Sequence, residues 1–215
     1  MFIKWIICDV LAENKIAFSN AQEQWAFTAS AEGFIAQAGG WNLNNKSEAC
    51  IIAFWKSEDH LKQFMKKLHD EIFFGSQQGD TYESIQVAHF ETQLTMEGSC
   101  YSLVEAVQNA GFLRVADCKV KSEKLTHFEK VQQEIWLPAM KSAKGMLGGK
   151  FSKSETDQQR YLVTTFWDTL DNHSIYSQNI LPDCKRKSEV ADDTEHVSGK
   201  LVELEHSWKV IGEKS

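Results

Sequence analysis

The sequence predicts an α+β protein that is built from two copies of a β-α-β-β-α-β unit. The first observation is an internal repeat that keeps a constant offset along the chain. Residues 33–35 (Gly-Phe-Ile) match 145–147 (Gly-Met-Leu), and residues 51–55 (Ile-Ile-Ala-Phe-Trp) match 163–167 (Val-Thr-Thr-Phe-Trp), without a gap between the two matches. The second observation is that strand-like and helix-like patterns follow one another in the same order in both halves. We therefore interpret each half as one copy of an ancestral unit.

The elements of the first half follow from local pattern. Residues 2–10 are rich in β-forming side chains and too short for a helix, which predicts a strand. Residues 13–31 contain neither Pro nor Gly and place apolar side chains at near-helical spacing, which predicts a helix that Gly33 ends. The remaining predicted elements are strands at 34–43, 49–55 and 82–94, and a helix that Ser57 caps.

The second half repeats this order. Its predicted elements are strands at 113–120, 146–151, 160–167 and 197–208, a helix over 122–144 interrupted near Pro138, and a helix over 170–187 that Pro182 bends or ends. Residues 102–110 predict a short linking helix. We expect a first repeat over 1–96, a linker over 97–112 and a second repeat over 113–211.

This order of elements is the ferredoxin-like arrangement, in which both helices cover one face of a four-stranded antiparallel sheet. Residues 49–55 are apolar on both sides, so the other face must also be covered. Two units in one chain can cover each other, which predicts two ferredoxin-like repeats packed as a pseudo-dimeric α+β barrel. We expect a monomeric pseudo-dimer, in which the two repeats pack as two subunits would, with a homodimer of the chain as the alternative.

Composition and charge exclude several classes of partner. The net charge is -7, and the longest basic run is Lys185-Arg186-Lys187, so nucleic acid is not an expected partner. No stretch approaches 18 consecutive apolar residues and the first residues do not resemble a signal peptide, so we expect no membrane partner and a cytoplasmic location. The five cysteines are widely spaced without a C-x-x-C pair, which predicts buried thiols and no zinc site. No cofactor is expected.

Several segments carry a family resemblance. The pattern formed by Gly33-Phe34-Ile35, Phe54-Trp55 and Ser57-Glu58-Asp59 resembles the antibiotic-biosynthesis-monooxygenase superfamily, whose members form dimeric α+β barrels. The first half is more closely similar to the bacterial YdbC-like family, in residues 3–6, 21–23, 39–41, 47–52 and 69–73. The resemblance implies the fold more strongly than an activity, because one fold hosts many functions.

The resemblance leaves two classes of function open. Superfamily monooxygenases that oxidise polyketide-type aromatic molecules use neither metal nor flavin, only a cavity with a few polar groups. One expectation is therefore a monooxygenase-like enzyme, or a binder of a small hydrophobic or aromatic molecule, with its pocket in the first repeat. The alternative is a non-catalytic, stress-related or regulatory interaction domain.

Heme degradation is not expected from the same resemblance. Heme-degrading members place an Asn on the first strand, a Trp on the second helix and a His later. Here the first strand has no Asn, Phe64 occupies the Trp position and Phe74 occupies the His position.

The predicted pocket lies between the sheet and helices of the first repeat and is largely aromatic. Its expected ligand-binding residues are Trp25, Phe34, Trp41, Trp55 and Phe64. The alternative interpretation of Trp25, Trp55 and Phe64 is ordinary core, since aromatic side chains at helix or strand spacing commonly pack inside. Trp41 follows two glycines and is expected at the mouth of the cavity.

Two polar residues of the first repeat are predicted catalytic residues. His69 precedes Asp70 and Glu71, which are expected to raise its pKa and suit it to proton transfer. The alternative is a histidine placed favourably at the C-terminal end of the second helix. Residues 22–25 and 133–136 share the pattern Gln-Glu-x-Trp, so Glu23 could act as a general base beside an aromatic wall or be an exposed helix residue.

Overall fold

The computed structural model describes residues 1–213, which form two compact units. The first unit comprises Met1–His89 and the chain from Val202 onward, and the second comprises Phe90–Leu201. The unit boundaries therefore lie inside strands, near residues 89 and 201, while the repeat boundaries at 96 and 113 stay a prediction about the sequence. No helix within the described range is long and apolar enough to cross a membrane.

The first unit begins with the predicted order of elements. Its strands are β1 (Phe2–Asp9), β2 (Phe34–Asn42), β3 (Glu48–Trp55) and the first part of β4 (Ser84–Glu97), and its helices are α1 (Lys15–Glu23), α2 (Glu58–Lys67) and α3 (His69–Gly75). Strand β3 pairs antiparallel with both β1 and β2, and β4 lies beside β1. Ser57 caps α2 as predicted, because its side chain accepts a hydrogen bond from the His60 backbone amide.

The second unit repeats this topology. After α4 (Leu103–Asn109) come β5 (Phe112–Val120), α5 (Leu125–Val131), α6 (Leu137–Ser142), β6 (Met146–Ser154), β7 (Arg160–Trp167), α7 (Leu170–Asn179), α8 (Leu181–Ser188), α9 (Val190–Asp193) and β8 (Thr194–Leu204). Strand β7 pairs antiparallel with β5 and β6. The last residues of β8 and the short β9 (Val210–Ile211) pair with β2 and so complete the sheet of the first unit. The predicted linking helix is confirmed by α4.

Strand registers make the two units comparable position by position. Lys4 pairs with Ala53 and Ile6 with Ile51 in the first unit. In the second unit Arg114 pairs with Thr165 and Ala116 with Val163. The partners on β3 and β7 are separated by the offset of the sequence repeat, so Lys4 corresponds to Arg114 and Ile6 to Ala116.

Glycine ends the first helical segment of both units. Gly33 and Gly145 have φ values of 74° and 79°, a backbone conformation that side chains with a Cβ rarely adopt. A Cβ on Gly33 would lie 2.1 Å from His60 Cδ2, and one on Gly145 would lie 2.3 Å from Asp168 Oδ1. The repeated glycine therefore reflects the same turn, as the sequence predicted.

The first helical segment is less regular than predicted. In the first unit α1 ends at Glu23, and Gln24–Ser30 continue as a 3₁₀ helix. The tighter helix places Trp25 and Thr28, three residues apart, on the same inward side. In the second unit Gln132–Trp136 form a π-helix between α5 and α6, just before Pro138. Proline lacks the backbone N–H that an α-helix would bond to the carbonyl of residue 134, so the ladder is already broken there.

Each unit buries its helices on one sheet face. In the first unit Leu61, Phe64 and Ile72 from the helices pack with strand residues that include Ala53 and Trp55. In the second unit a larger cluster joins α5, the π-helix, α7 and α8 to β5, β6 and β7. The cysteines predicted to be buried, Cys8, Cys50 and Cys118, are buried free thiols.

Candidate functional site

The residues predicted to line a pocket in the first unit largely pack against one another. Trp25 and Phe64 have ring centroids 6.4 Å apart, and Trp55 lies 4.9 Å from Phe64 and 5.1 Å from Phe34. His69 lies 5.3 Å from Trp25. The structure therefore brings these five residues together in a layer of tilted and edge-on rings, of which Phe34, Trp55 and Phe64 belong to the core of the first unit.

His69 differs from its predicted setting. It is the first residue of α3, so it does not lie at the C-terminal end of a helix. Its Nδ1 lies 2.9 Å from Asp70 Oδ1, and its ring stacks on Phe73. Burial lowers the pKa of His69, although the hydrogen bond to Asp70 opposes this effect. The expectation that its acidic neighbours raise the pKa is wrong, because desolvation of the ring is the larger effect.

Trp41 and Glu23 lie outside this layer. The Trp41 ring packs 5.9 Å from Phe18 and 5.5 Å from Trp208, in a second cluster of the same unit. Lys15 Nζ lies 4.2 Å from the centroid of the Trp41 ring. Glu23 is exposed at the end of α1, which matches the alternative interpretation of this residue.

A buried hydrogen-bonded chain fills the interior of the first unit near these rings. Gln78, which is 6% exposed, donates its side-chain Nε2 to Gln22 Oε1 at 2.9 Å. The Oε1 atom of Gln78 accepts a hydrogen bond of 2.7 Å from Trp25 Nε1. One glutamine side chain therefore satisfies both the buried amide oxygen of Gln22 and the half-buried indole of Trp25.

The second unit contains a cavity of about 270 Å³ in the corresponding region. Its sheet wall consists of Arg114, Ala116 and Cys118, which alternate along β5 and so face the same side, together with Val163 on β7. This is the sheet face on which the helices of the second unit pack. We call this space the second-unit cavity.

The helix wall comes from α5 and the π-helix. It consists of Phe128, Gln132 and Trp136, which follow one another at four-residue spacing. The first and last of these correspond to Phe18 and Trp25, and the helical segment between the two aromatic residues is longer by one residue in the second unit. The π-helix accommodates this additional residue, and such insertions in helices frequently occur at functional sites.

The remaining wall is formed by α8, α9 and the start of β8. Lys185, Ala191 and Val197 are exposed, so the cavity opens to solvent between them. Val190 and Thr194 are half-buried and complete this side.

Backbone geometry identifies the residue that corresponds to Gln78. The residues before Gln78 and before Val190 are Gln77 and Glu189, and these are the non-glycine residues with positive φ among residues 1–213, at 53° and 50°. Their separation along the chain equals the offset of the sequence repeat, so Val190 occupies the position of Gln78. Val190 has no polar side-chain atom with which to make the hydrogen bonds of Gln78.

Three substitutions between the units account for the cavity. Val190 and Thr194 correspond to Gln78 and Tyr82, and Ala116 corresponds to Ile6. Each residue of the second unit has the smaller side chain. The ring of Tyr82 packs 6.4 Å from that of Phe18 in the first unit, whereas its counterpart Thr194 lines the cavity.

The same substitutions leave two polar groups of the cavity wall without partners. Gln132 is 2% exposed, and within residues 1–213 its side-chain amide makes no hydrogen bond. Trp136 is 7% exposed, and its Nε1 likewise has no partner in the described part of the chain. Their counterparts in the first unit by burial and order, Gln22 and Trp25, are both satisfied by Gln78. The repeat pattern had matched Gln22 with Gln133, but Gln133 is exposed and Gln132 is buried.

The charged residues that line the cavity are all cationic. Arg114 and Lys185 line it, and none of its lining residues is Asp or Glu. Within the described residues neither cation takes part in an ion pair; Arg114 lies 6.0 Å from the ring centroid of Tyr176. Burial raises the pKa of Cys118 to about 12, so this thiol is neutral and unreactive at pH 7.

The groups behind the cavity are also neutral. Burial, assisted by the nearby Arg114, lowers the pKa of His173 to about 4. Burial raises the pKa of Tyr176 to about 12. The arrangement can therefore hold and orient a molecule by hydrogen bonds from the indole, the amide and the guanidinium. No cluster of three or more His, Cys, Asp or Glu residues suited to a metal ion occurs within residues 1–213.

Sequence reasoning missed the second-unit cavity because no motif marks it. The predicted aromatic residues Trp25, Trp55 and Phe64 have close counterparts in Trp136, Trp167 and Tyr176, so aromatic content does not distinguish the repeats. The two repeats differ instead in side-chain volume, which is smaller at several positions of the second repeat. This difference can be recognised only once the corresponding positions of the two repeats are known.

Comparison with protein families matches residues 2–90 to a domain of unknown function (DUF4937). Among curated proteins, the Uncharacterized protein YdbC of Bacillus subtilis (strain 168) is 39% identical over 93 residues, which is 42% of this chain and 78% of YdbC.

Solved structures resemble nearly the whole chain. A "putative monooxygenase" from Lactobacillus acidophilus NCFM is 12% identical with a TM-score of 0.74, covering 98% of this chain and 95% of its own. An anthrone oxidase-like protein is 10% identical with a TM-score of 0.71, covering 99% and 94%. A ferredoxin fold protein related to antibiotic biosynthesis monooxygenases, from Listeria monocytogenes 4b F2365, is 11% identical with a TM-score of 0.50, covering 94% of both chains. At these identities the likeness shows the fold, and it confirms the predicted class of two ferredoxin-like repeats of the pseudo-dimeric α+β barrel type.

Proposed function

The chain belongs to the YdbC-like family, and we propose that its second unit binds a small, largely aromatic molecule in the second-unit cavity. The observation that carries this proposal is the buried Nε1 of Trp136, which lines an apolar cavity beside Gln132 and has no hydrogen-bond partner within residues 1–213. Leaving such a group unsatisfied costs roughly 1–3 kcal/mol, so a bound molecule that pairs with it gains affinity.

The cavity sets the size of the ligand. An apolar cavity of about 150 Å³ can hold benzene. The second-unit cavity measures about 270 Å³, which suits a molecule of about two fused rings. Phe128, Trp136 and Val163 provide the apolar and aromatic surface that such rings contact.

The first unit shows which polar group the ligand presents. The amide of Gln78 offers an oxygen to Trp25 Nε1 and an N–H to Gln22 Oε1. A ligand in the second unit that carries a carbonyl oxygen can accept from Trp136 Nε1 in the same way. Solved neighbours of this fold are named for a monooxygenase and an anthrone oxidase, and an anthrone is an aromatic ketone. This supports an oxygen-bearing aromatic ligand.

The sequence prediction located the pocket in the first repeat, and the proposal moves it to the second. In the first unit the aromatic residues pack on one another, and Gln78 satisfies Gln22 Oε1 and Trp25 Nε1. Trp25, Phe34, Trp41, Trp55, Phe64, His69 and Glu23 stay predictions as ligand-binding or catalytic residues, and the proposal does not depend on them.

Binding of 2-naphthamide, measured by isothermal titration calorimetry and by Trp fluorescence, tests the proposal. We expect saturable binding of one molecule per chain. The Val190→Gln variant places the side chain of Gln78 into the second unit, so it should lose binding by at least tenfold. Val87→Gln makes the same change at an exposed strand position of the first unit and should bind normally. Absence of binding to the wild-type protein, or equal binding by both variants, would contradict the proposal.

A further inference from the structure

The wall of the second-unit cavity carries positive charge. The chain has a net charge of -7, which repels anions at long range. Yet Arg114 and Lys185 line the second-unit cavity without any acidic residue among its lining. Since cations on the surface of an acidic protein commonly find a carboxylate partner, two cations facing one cavity without such a partner need an explanation.

Three carboxylates on the elements that frame the cavity, those of Asp117, Asp183 and Asp193, are engaged elsewhere. Asp117 on β5 pairs with Arg160, whose Nη2 lies 2.6 Å from Asp117 Oδ2. Asp183 on α8 pairs with Lys187 at 2.7 Å and also with Arg186. Asp193 at the end of α9 is fully buried and lies 2.6 Å from His127 Nδ1. These pairs leave the positive charge at the cavity uncompensated by the acids nearest to it in sequence.

The guanidinium and the neutral donors can act on one group. Arg114 belongs to the sheet wall of the cavity, whereas Gln132 and Trp136 belong to the helix wall, and Trp136 Nε1 is buried without a partner within residues 1–213. A guanidinium, a primary amide and an indole all offer N–H donors, and a carboxylate is a planar group that accepts several such bonds. A positively charged ligand is repelled by the same cations. A neutral amide has one acceptor oxygen, so it pairs with fewer of these donors than a carboxylate does.

We propose that the ligand of the second-unit cavity is an aromatic carboxylate, whose carboxylate group is bound by Arg114 together with the side-chain donors of Gln132 and Trp136. This inference rests on the proposed function, since it specifies the chemistry of the molecule that the cavity binds. Lys185 lies at the exposed rim and favours the entry of an anion.

The first unit supplies an internal comparison. Lys4 occupies the position of Arg114, and Gln78 already occupies the space that the carboxylate takes in the second unit. The first unit therefore fills this space with a neutral amide of its own, while Lys4 Nζ lies 3.7 Å from Met65 Sδ. We expect the second unit to prefer a carboxylate because its wall has the guanidinium fork, to which a carboxylate can bind through two parallel hydrogen bonds.

Three probes with the same two-ring body test the inference: 2-naphthoate, 2-naphthamide and 2-naphthylmethylamine. Calorimetric titration at pH 7 should show that the wild-type protein binds the carboxylate at least tenfold more tightly than the amide, and the amine most weakly. Binding of the amide with no preference for the carboxylate would overturn this inference while leaving the proposed function intact. No binding of any probe would contradict the proposed function itself.

Two variants of Arg114 separate recognition from structural support. Arg114→Met should lower the ratio of carboxylate to amide affinity to about one, while amide binding shows that the cavity is still formed. Arg114→Lys keeps the charge and should retain part of the preference. An unchanged ratio in Arg114→Met would overturn the inference. If Arg114→Met does not fold, the ratio in Arg114→Lys decides, because a ratio equal to that of the wild-type protein would exclude the guanidinium fork as its source.

Discussion

Gln78 and Val190 occupy the same position in the two repeats, each directly after a residue in the left-handed conformation. Gln78 bridges a buried amide and a half-buried indole in the first unit, whereas Val190 lines a cavity in the second. Because of this one difference, the second unit has a cavity with polar donors in its wall where the first unit has a hydrogen-bonded side chain. It also provides a pair of reciprocal substitutions.

Replacing Gln78 with Val should destabilise the first unit. The change leaves the Gln22 amide and the Trp25 indole without partners, and we expect a loss of about 2–4 kcal/mol in the free energy of unfolding. Urea denaturation followed by Trp fluorescence measures it. Gln86→Val makes the same chemical change at an exposed strand position and should shift the midpoint little. A loss as small as that of the control would show that the chain of hydrogen bonds does not support the fold.

Replacing Val190 with Gln should have the opposite effect on the second unit. The new amide can satisfy Gln132 and Trp136 and reduce the volume of the cavity, so we expect a gain of about 1–2 kcal/mol in stability without ligand. Thermal unfolding of the ligand-free protein, compared with Val87→Gln, is the measurement. A lower melting temperature than that of Val87→Gln would mean that Val190 and Gln78 are not equivalent.

Ala116 and Ile6 offer a test that involves apolar volume alone. Ile6→Ala should cost about 1–3 kcal/mol, less than for a fully buried isoleucine, because Ile6 is half-buried against a packed cluster. Ala116→Ile adds the missing carbon atoms where space is available, so it should be tolerated and should exclude 2-naphthamide. Denaturation and calorimetry on both variants check the pair. Equal destabilisation by the two changes would contradict the assignment of free volume to the second unit.

Stability should fall in mild acid through His173. Its folded-state pKa is lowered to about 4 by burial and by Arg114. Between that value and the unfolded value of about 6.5 the unfolded chain binds more protons, so stability is complete above pH 6.5 and is lost as the pH falls toward 4. We expect a loss of about 2 kcal/mol from this residue between pH 7 and pH 5.

The His173→Gln variant isolates this contribution. His69 and His89 also have lowered pKa values through burial, so the variant should still lose some stability in acid, but less than the wild-type protein. Urea titrations of both proteins at pH 7 and pH 5 give the difference. Identical losses in the two proteins would show that His173 is not buried in its neutral form.

Periodicity and the spacing of the repeat predicted most of the fold. The glycine at 33 and 145, the cap at Ser57 and the linking helix follow from local rules of turn and helix chemistry, so they could be predicted without tertiary information. The 3₁₀ helix at Gln24–Ser30 and the π-helix at Gln132–Trp136 could not. Both depend on which side chains must face the core, and that is decided by packing.

The candidate site was harder to predict because it is a cavity, and its existence depends on small side chains rather than on a sequence motif. Motif reasoning followed His69, a titratable residue with acidic neighbours, and so favoured the first repeat. The second-unit cavity depends on alanine, valine and threonine at 116, 190 and 194, which have no chemical signature of their own. Gln132 and Trp136 can be identified as candidate ligand-binding residues only after the structure shows that Gln78 pairs with their counterparts in the first unit.

An unfilled interior has a thermodynamic consequence for a duplicated chain. Because the second-unit cavity opens to solvent, the apolar surface of its wall stays hydrated, and the second unit forgoes roughly 25 cal/mol for each Å² of that surface that side chains would otherwise bury. Natural proteins are stable by only about 5–15 kcal/mol, so this deficit matters. Two identical subunits would each carry that deficit, whereas a chain whose copies have diverged carries it once. Gene duplication thereby allows the well-packed first unit to supply stability for the whole chain, while the second unit retains an unfilled cavity.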